Sequence, residues 1–123
     1  MFVEFFSLTQ NDPGETSPPV QLLSVYHLCA DHTYRVDHPG YTGGRQALVF
    51  TRAGKGVVRL GSTAVHLGEG DCLLMRPEKF FFYRCSEDHW EFWWFEFVSP
   101  SYPGVRSVDP GPTGWRLWNV GSA

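Results

Sequence analysis

Long basic runs are missing from this sequence. Ten Lys and Arg are scattered among thirteen Asp and Glu, the formal net charge is −3, and no stretch could neutralise a row of phosphates. Direct nucleic-acid binding by these residues is therefore not expected. Cysteine is scarce: Cys29, Cys72 and Cys85 make an odd number at wide spacings, with no CxxC pair and no secretory apolar region at the start. That pattern points to free thiols in a reducing cytoplasm. No apolar run approaches the ~20 residues of a membrane helix. A G-x-S-x-G elbow, a phosphate-binding glycine loop and a clustered carboxylate pair are all lacking, so the chain does not read as an enzyme.

Aromatic residues, by contrast, reach 16% of the chain against 19% charged, which places it on the packed side of the boundary with disordered sequences. Its 123 residues make one domain, and at that size a folded chain buries roughly two thirds of its surface. Residues 7–19, SLTQNDPGETSPP, hold three prolines among small polar residues, so 1–19 is expected to be an irregular arm. From Val20 short apolar runs alternate with turn signals every eight to twelve residues, the texture of a sandwich or barrel.

Strands are expected over 20–29, 33–37, 46–52, 56–60, 63–67, 71–76, 80–85 and 90–98, enough to close a small barrel or jelly roll. Tight hairpins are expected at Ala53-Gly54-Lys55-Gly56 and at Leu60-Gly61-Ser62, with a further turn at Gly68-Glu69-Gly70-Asp71. After Pro100, Gly and Pro return, and 100–123 reads as a tail with Trp115, Leu117 and Trp118 as late anchors. In 80–85 and 90–98 aromatics fall on both strand faces. One face can line a barrel interior; the other needs a cover, and self-association as a homodimer would supply one.

Residues 54–97, GKGVVRLGSTAVHLGEGDCLLMRPEKFFFYRCSEDHWEFWWFEF, resemble the sensory domain of AraC-type transcription regulators. The shared order is a glycine pair (Gly54, Gly56), two strands, Gly70-Asp71 opening an apolar strand, Pro77, an aromatic strand ending at Tyr83, and Trp94-x-x-Phe97. The stretch TYRVDHPGYTGGRQALVFTR resembles the family's approach to the hairpin. The resemblance implies an all-β, cupin-like small β-barrel over 20–99 that senses a small-molecule effector and dimerises. DNA would be reached only through a C-terminal helix-turn-helix domain outside these residues.

The same resemblance implies a carbohydrate-type site, with Trp94 stacking on the ligand, Tyr83 contacting a hydroxyl, His38 or Arg45 as polar clamp and Phe92 as a second wall. Where the family's sugar sensor has Arg, this chain has His38. Metal-binding cupins carry a paired HxH, a Glu and a further His; here His66 stands alone and Phe81 occupies a position where many relatives have His. No metal and no cofactor are expected. Two alternatives stay open on fold grounds: a stand-alone small cupin enzyme, which would need that metal, and a carbohydrate-binding module.

Overall fold

The computed structural model describes residues 2–7, 20–99 and 108–121, all of them strand, turn or loop. Eight strands follow in chain order: β1 (Phe2–Ser7), β2 (Gln21–Asp31), β3 (Arg35–His38), β4 (Arg45–Leu60), β5 (Thr63–Leu67), β6 (Asp71–Met75), β7 (Phe81–Val98) and β8 (Trp115–Asn119). All pairings are antiparallel. The main path runs β1-β2-β7-β4-β6-β8, with β3 also on β7 and β5 also on β4.

The two longest strands organise everything else. β4 and β7 pair along both their halves, and register shifts at Thr51/Ala53 and Gly54/Gly56 leave Lys55 facing residues 86–89. This joint β-bulge bends both strands sharply. Phe81 and Trp94 lie on opposite sides of the bend, yet their rings approach to 6.4 Å with planes 10° apart. The sheet is thus folded over on itself around one core, in which Val49, Leu73 and Trp94 meet Val58, Val65 and Phe81.

Residues 53–56 are therefore not a tight hairpin, and 46–52 with 56–60 are one strand, as are 80–85 with 90–98. The reason lies in two glycines. Gly54 has φ +75°, and a Cβ there would sit 2.1 Å from the His89 carbonyl oxygen. A Cβ on Gly56 would fall 2.2 Å from the ring of Trp90, which is wholly buried. The glycines serve a close backbone approach to β7 instead of a reversal. The turns at 61–62 and 69–70 are found as expected.

The ends also differ from an irregular arm and tail. β1 pairs with β2 from Phe2↔Cys29 to Ser7↔Ser24, and β8 pairs with β6 from Asp71↔Asn119 to Met75↔Trp115. Backbone pairing to an open sheet edge overrides the weak local signal of either segment. Residues 8–19 and 100–107, which complete the expected arm and tail, lie outside the described residues.

Alternation sorts the aromatic strand. Phe81, Cys85, Trp90, Phe92, Trp94 and Glu96 turn inward and are buried, while Phe82, Trp93 and Phe95 are only partly covered on the outside and Phe80 is exposed.

Candidate functional site

The inward faces of β2 and β7, with Tyr34 and His38, enclose a cavity of about 280 Å³ lined by Tyr26, Leu28, Tyr34, His38, Tyr83, Phe92, Trp94 and Glu96. Its position follows from register. The irregularity at Leu22/Ser24 sets Ser24 opposite Glu96, and regular pairing then places Tyr26 opposite Trp94 and Leu28 opposite Phe92. Side chains opposite one another share a face. Trp94 and Tyr83 are packed ring to ring at 4.4 Å, Phe92 meets Trp94 edge-on at 6.3 Å, and Tyr34 lies about equally far from Tyr83 (6.1 Å) and Phe92 (6.0 Å).

At one end of this aromatic wall sits Glu96, a buried carboxylate in the inward series Trp90, Phe92, Trp94. An unpaired buried charge would cost several kcal/mol. Here Ser24 Oγ donates to Oε1 at 2.6 Å, and Tyr41 OH donates to Oε2 at 2.5 Å. Trp94 Nε1 in turn donates to the Tyr41 oxygen at 3.1 Å, so the indole, the phenol and the carboxylate form one relay. Tyr41 is carried by the 39–44 loop, which is tied down by Tyr41 N–H donating to the Pro77 carbonyl at 2.8 Å.

The phenols around the cavity are kept protonated. Burial pushes Tyr34 up to about 12. It also raises Tyr83, with the neighbouring Tyr34 adding to the effect. Tyr41 is raised by burial and by its hydrogen bond to Glu96. Burial holds the His38 imidazole below its ordinary value, against the pull of Glu96. Gly40 N–H donates to His38 Nδ1 at 2.9 Å, so the neutral ring carries its proton on Nε2.

Of the five residues expected from the sequence, the fold brings Trp94, Tyr83, His38 and Phe92 into one cavity. Arg45 lies elsewhere. It starts β4 opposite Val98 and lines a separate surface depression with Tyr41, Thr42, Gly43, Gly44, Arg76 and Glu78. Tyr26, Tyr34 and Glu96 were not among the expected contacts. Extending the period-2 series Trp90, Phe92, Trp94 by one step would have found Glu96. Among the described residues, the potential metal ligands that come together are His27, Cys29 and Glu91, which are on the outward face and not in the barrel.

A small folded-over antiparallel barrel with an aromatic cavity between its strands defines a cupin-type ligand-binding domain. The chain belongs to the family of the AraC-like ligand binding domain, whose model matches residues 31–107. No curated protein sequence matches it.

Among solved structures, YhaK from Escherichia coli superposes with a TM-score of 0.72 at 11% identity, over 95% of this chain and 50% of that one. This chain thus spans about half the length of YhaK. A cupin superfamily protein from Desulfitobacterium hafniense aligns at TM-score 0.53 and 18% identity, over 78% of this chain and 77% of that one. The cupin domain of an XRE-family transcriptional regulator from Enterobacter cloacae aligns at 0.56 and 12%, over 80% and 98% respectively. These likenesses are of fold. Among the described residues no helix is long and apolar enough to cross a membrane.

Proposed function

We propose that the domain binds a small neutral polyhydroxylated molecule of the monosaccharide class between Trp94 and Glu96, without catalysis. In this reading it acts as the effector-sensing and dimerising part of a transcription regulator. The observation that carries the ligand class is the buried Glu96 carboxylate beside an aromatic wall. Each carboxylate oxygen accepts one protein hydrogen bond and keeps acceptor capacity for a ligand hydroxyl. Tyr34 and Tyr83 supply phenol groups, and Trp94 with Phe92 supplies apolar faces for ring C–H groups.

Charge and size narrow the choice. Among the described residues no Lys or Arg lines the cavity, so an anionic sugar acid or phosphate would meet the Glu96 carboxylate with no cation at the wall beside it. At about 280 Å³ the space is at the low end of the ~300–1,000 Å³ typical of small-molecule pockets, a single sugar ring and not a chain. The regulatory role is supported by the AraC-like family and by the cupin domain of the Enterobacter cloacae regulator. Pairing of two copies is supported by the partly covered Phe82, Trp93 and Phe95 on the outer face.

Thermal unfolding against a panel of neutral monosaccharides, polyols and sugar acids tests the ligand class. A neutral ligand at a hundred times its Kd stabilises by about 2.7 kcal/mol, roughly 10 °C for a domain of this size. Glu96→Gln should lose most of that gain. Stabilisation by anionic sugars alone would overturn the reading.

A further inference from the structure

The outward face of β1, β2 and β7 gathers a second set of chemically capable side chains, away from the ligand cavity. His27 and Cys29 are two residues apart on β2 and so share a face, and the register sets Glu91 of β7 opposite Cys29. One donor atom from each of His27, Cys29 and Glu91 lies within 4.8 Å of the other two. His27 Nε2 is 3.0 Å from Glu91 Oε2. On the other side of the ring, His27 Nδ1 is 3.2 Å from Glu4 Oε2, because β1 sets Glu4 opposite His27. Trp93 stacks on the imidazole, centroids 4.3 Å apart and planes 12° apart, which fixes the ring's plane.

An imidazole held between two carboxylates can donate to both only with both nitrogens protonated. A metal ion on Nε2 takes the place of one proton and leaves Nδ1–H for Glu4, the arrangement by which a carboxylate orients a metal-bound histidine. Small side-chain rotations suffice to bring an imidazole, a thiolate and a carboxylate onto bonds of ~2.0–2.3 Å. That donor set suits zinc and its borderline neighbours and not magnesium or calcium. The surrounding charge is compatible with a cation: among the described residues, the Lys or Arg paired with these carboxylates is Arg52, whose Nη1 is 3.6 Å from Glu91 Oε1 and whose side chain is 64% exposed, free to turn to solvent.

We propose that His27, Cys29 and Glu91 form a site for a divalent zinc-class ion on the outer face of the barrel, with Glu4 as its positioning carboxylate. The ion ties β2 to β7 directly and holds β1 through Glu4. This departs from the sequence expectation, which was of no bound metal in the protein at all because no ligand set converges on the barrel interior; the site proposed lies outside that interior, on the outward face, apart from the sugar-type cavity.

Titrating the reduced, metal-free chain with Co²⁺ and then Zn²⁺ tests the assignment. One equivalent of Co²⁺ should produce a thiolate-to-metal charge-transfer band that Zn²⁺ abolishes. Cys29→Ala and His27→Gln should lose the band, whereas Cys72→Ser and Cys85→Ser should keep it. Glu4→Gln should weaken Zn²⁺ binding about 10–100-fold. In the unmodified protein, Zn²⁺ should protect Cys29 from alkylation, a readout that needs no variant. Absence of the band in the unmodified protein, its survival in Cys29→Ala, or a Cys29 alkylation rate that Zn²⁺ does not change would each overturn the site.

Discussion

Replacing Tyr41 by Phe removes a single oxygen from the relay that builds the cavity, and its cost can be worked out in advance. Trp94 Nε1–H loses its acceptor in a residue that is 2% exposed; an orphaned buried donor costs about 1–3 kcal/mol. Glu96 Oε2 loses a donor, and a hydrogen bond to a charged group is worth about 1.5–3 kcal/mol. Phe fills the same volume, so no cavity term is added. Part of the two losses overlaps through local adjustment, and a net destabilisation of about 2–4 kcal/mol is expected. In urea, with a slope of about 2 kcal/mol per molar, the unfolding midpoint should fall by about 1–2 M at unchanged slope. In a Trp94→Phe background the same change should cost at least about 1 kcal/mol less, since the orphaned indole is already gone. A loss below about 0.5 kcal/mol, or full additivity with Trp94→Phe, would refute the relay.

Because His38 is held below its ordinary value of 6.5 by burial, the fold favours the neutral ring; that stability is present above pH 6.5 and is lost as pH falls below it. Urea midpoints on either side of pH 6.5 should drop further for the unmodified protein than for His38→Gln, and equal drops would contradict this. Tyr34, raised from 10.0 to about 12, contributes stability that is complete below pH 10 and is lost as pH rises toward 12. An ultraviolet titration in which all phenols ionise near pH 10 in the folded state would contradict that direction. Gly56→Ala sets a Cβ 2.2 Å from the Trp90 ring, which is fully buried and held through its Nε1–H to Thr51 Oγ1. Overpacking of about 1–3 kcal/mol should lower Tm by roughly 4–12 °C, and an unchanged Tm would contradict the bulge packing. Sedimentation equilibrium should show a dimer whose dissociation is promoted by Trp93→Ser or Phe95→Ser, against a strict monomer if the outer aromatics have no partner.

The strand texture was legible because period-2 alternation and turn residues act locally: the turns at 61–62 and 69–70 and the bodies of β2, β5 and β6 follow directly from them. The bend shared by β4 and β7 was not. Ala53-Gly54-Lys55-Gly56 has turn composition, and only the presence of His89 and Trp90 against the two glycines converts it into a bulge. Nor did Phe2–Ser7 or Trp115–Asn119 advertise a strand, since each gains its structure from the edge of β2 or β6. Within the cavity, Trp94, Phe92 and Tyr83 were reached through the family resemblance; by residue type alone, large aromatics in a small barrel are more often core. Glu96 could be read from the sequence only as a strand carboxylate pointing at something structured; its place in the cavity depends on Ser24 and Tyr41, which the fold brings to it. Arg45 came, with His38, from the polar clamp that the family resemblance implies; the fold brings His38 to the cavity and sets Arg45 in the separate depression beside Tyr41.

The central claim, that the Trp94–Glu96 cavity binds a neutral sugar-like ligand, is tested most directly by following tryptophan indole N–H resonances during titration with neutral monosaccharides. The account predicts saturable shifts of the Trp94 indole, whose N–H sits in the Tyr41–Glu96 relay, with little movement at Trp115 and Trp118 on β8, and loss of the effect in Glu96→Gln. Saturable shifts confined to the outer tryptophans, or a Trp94 response that Glu96→Gln leaves intact, would contradict it.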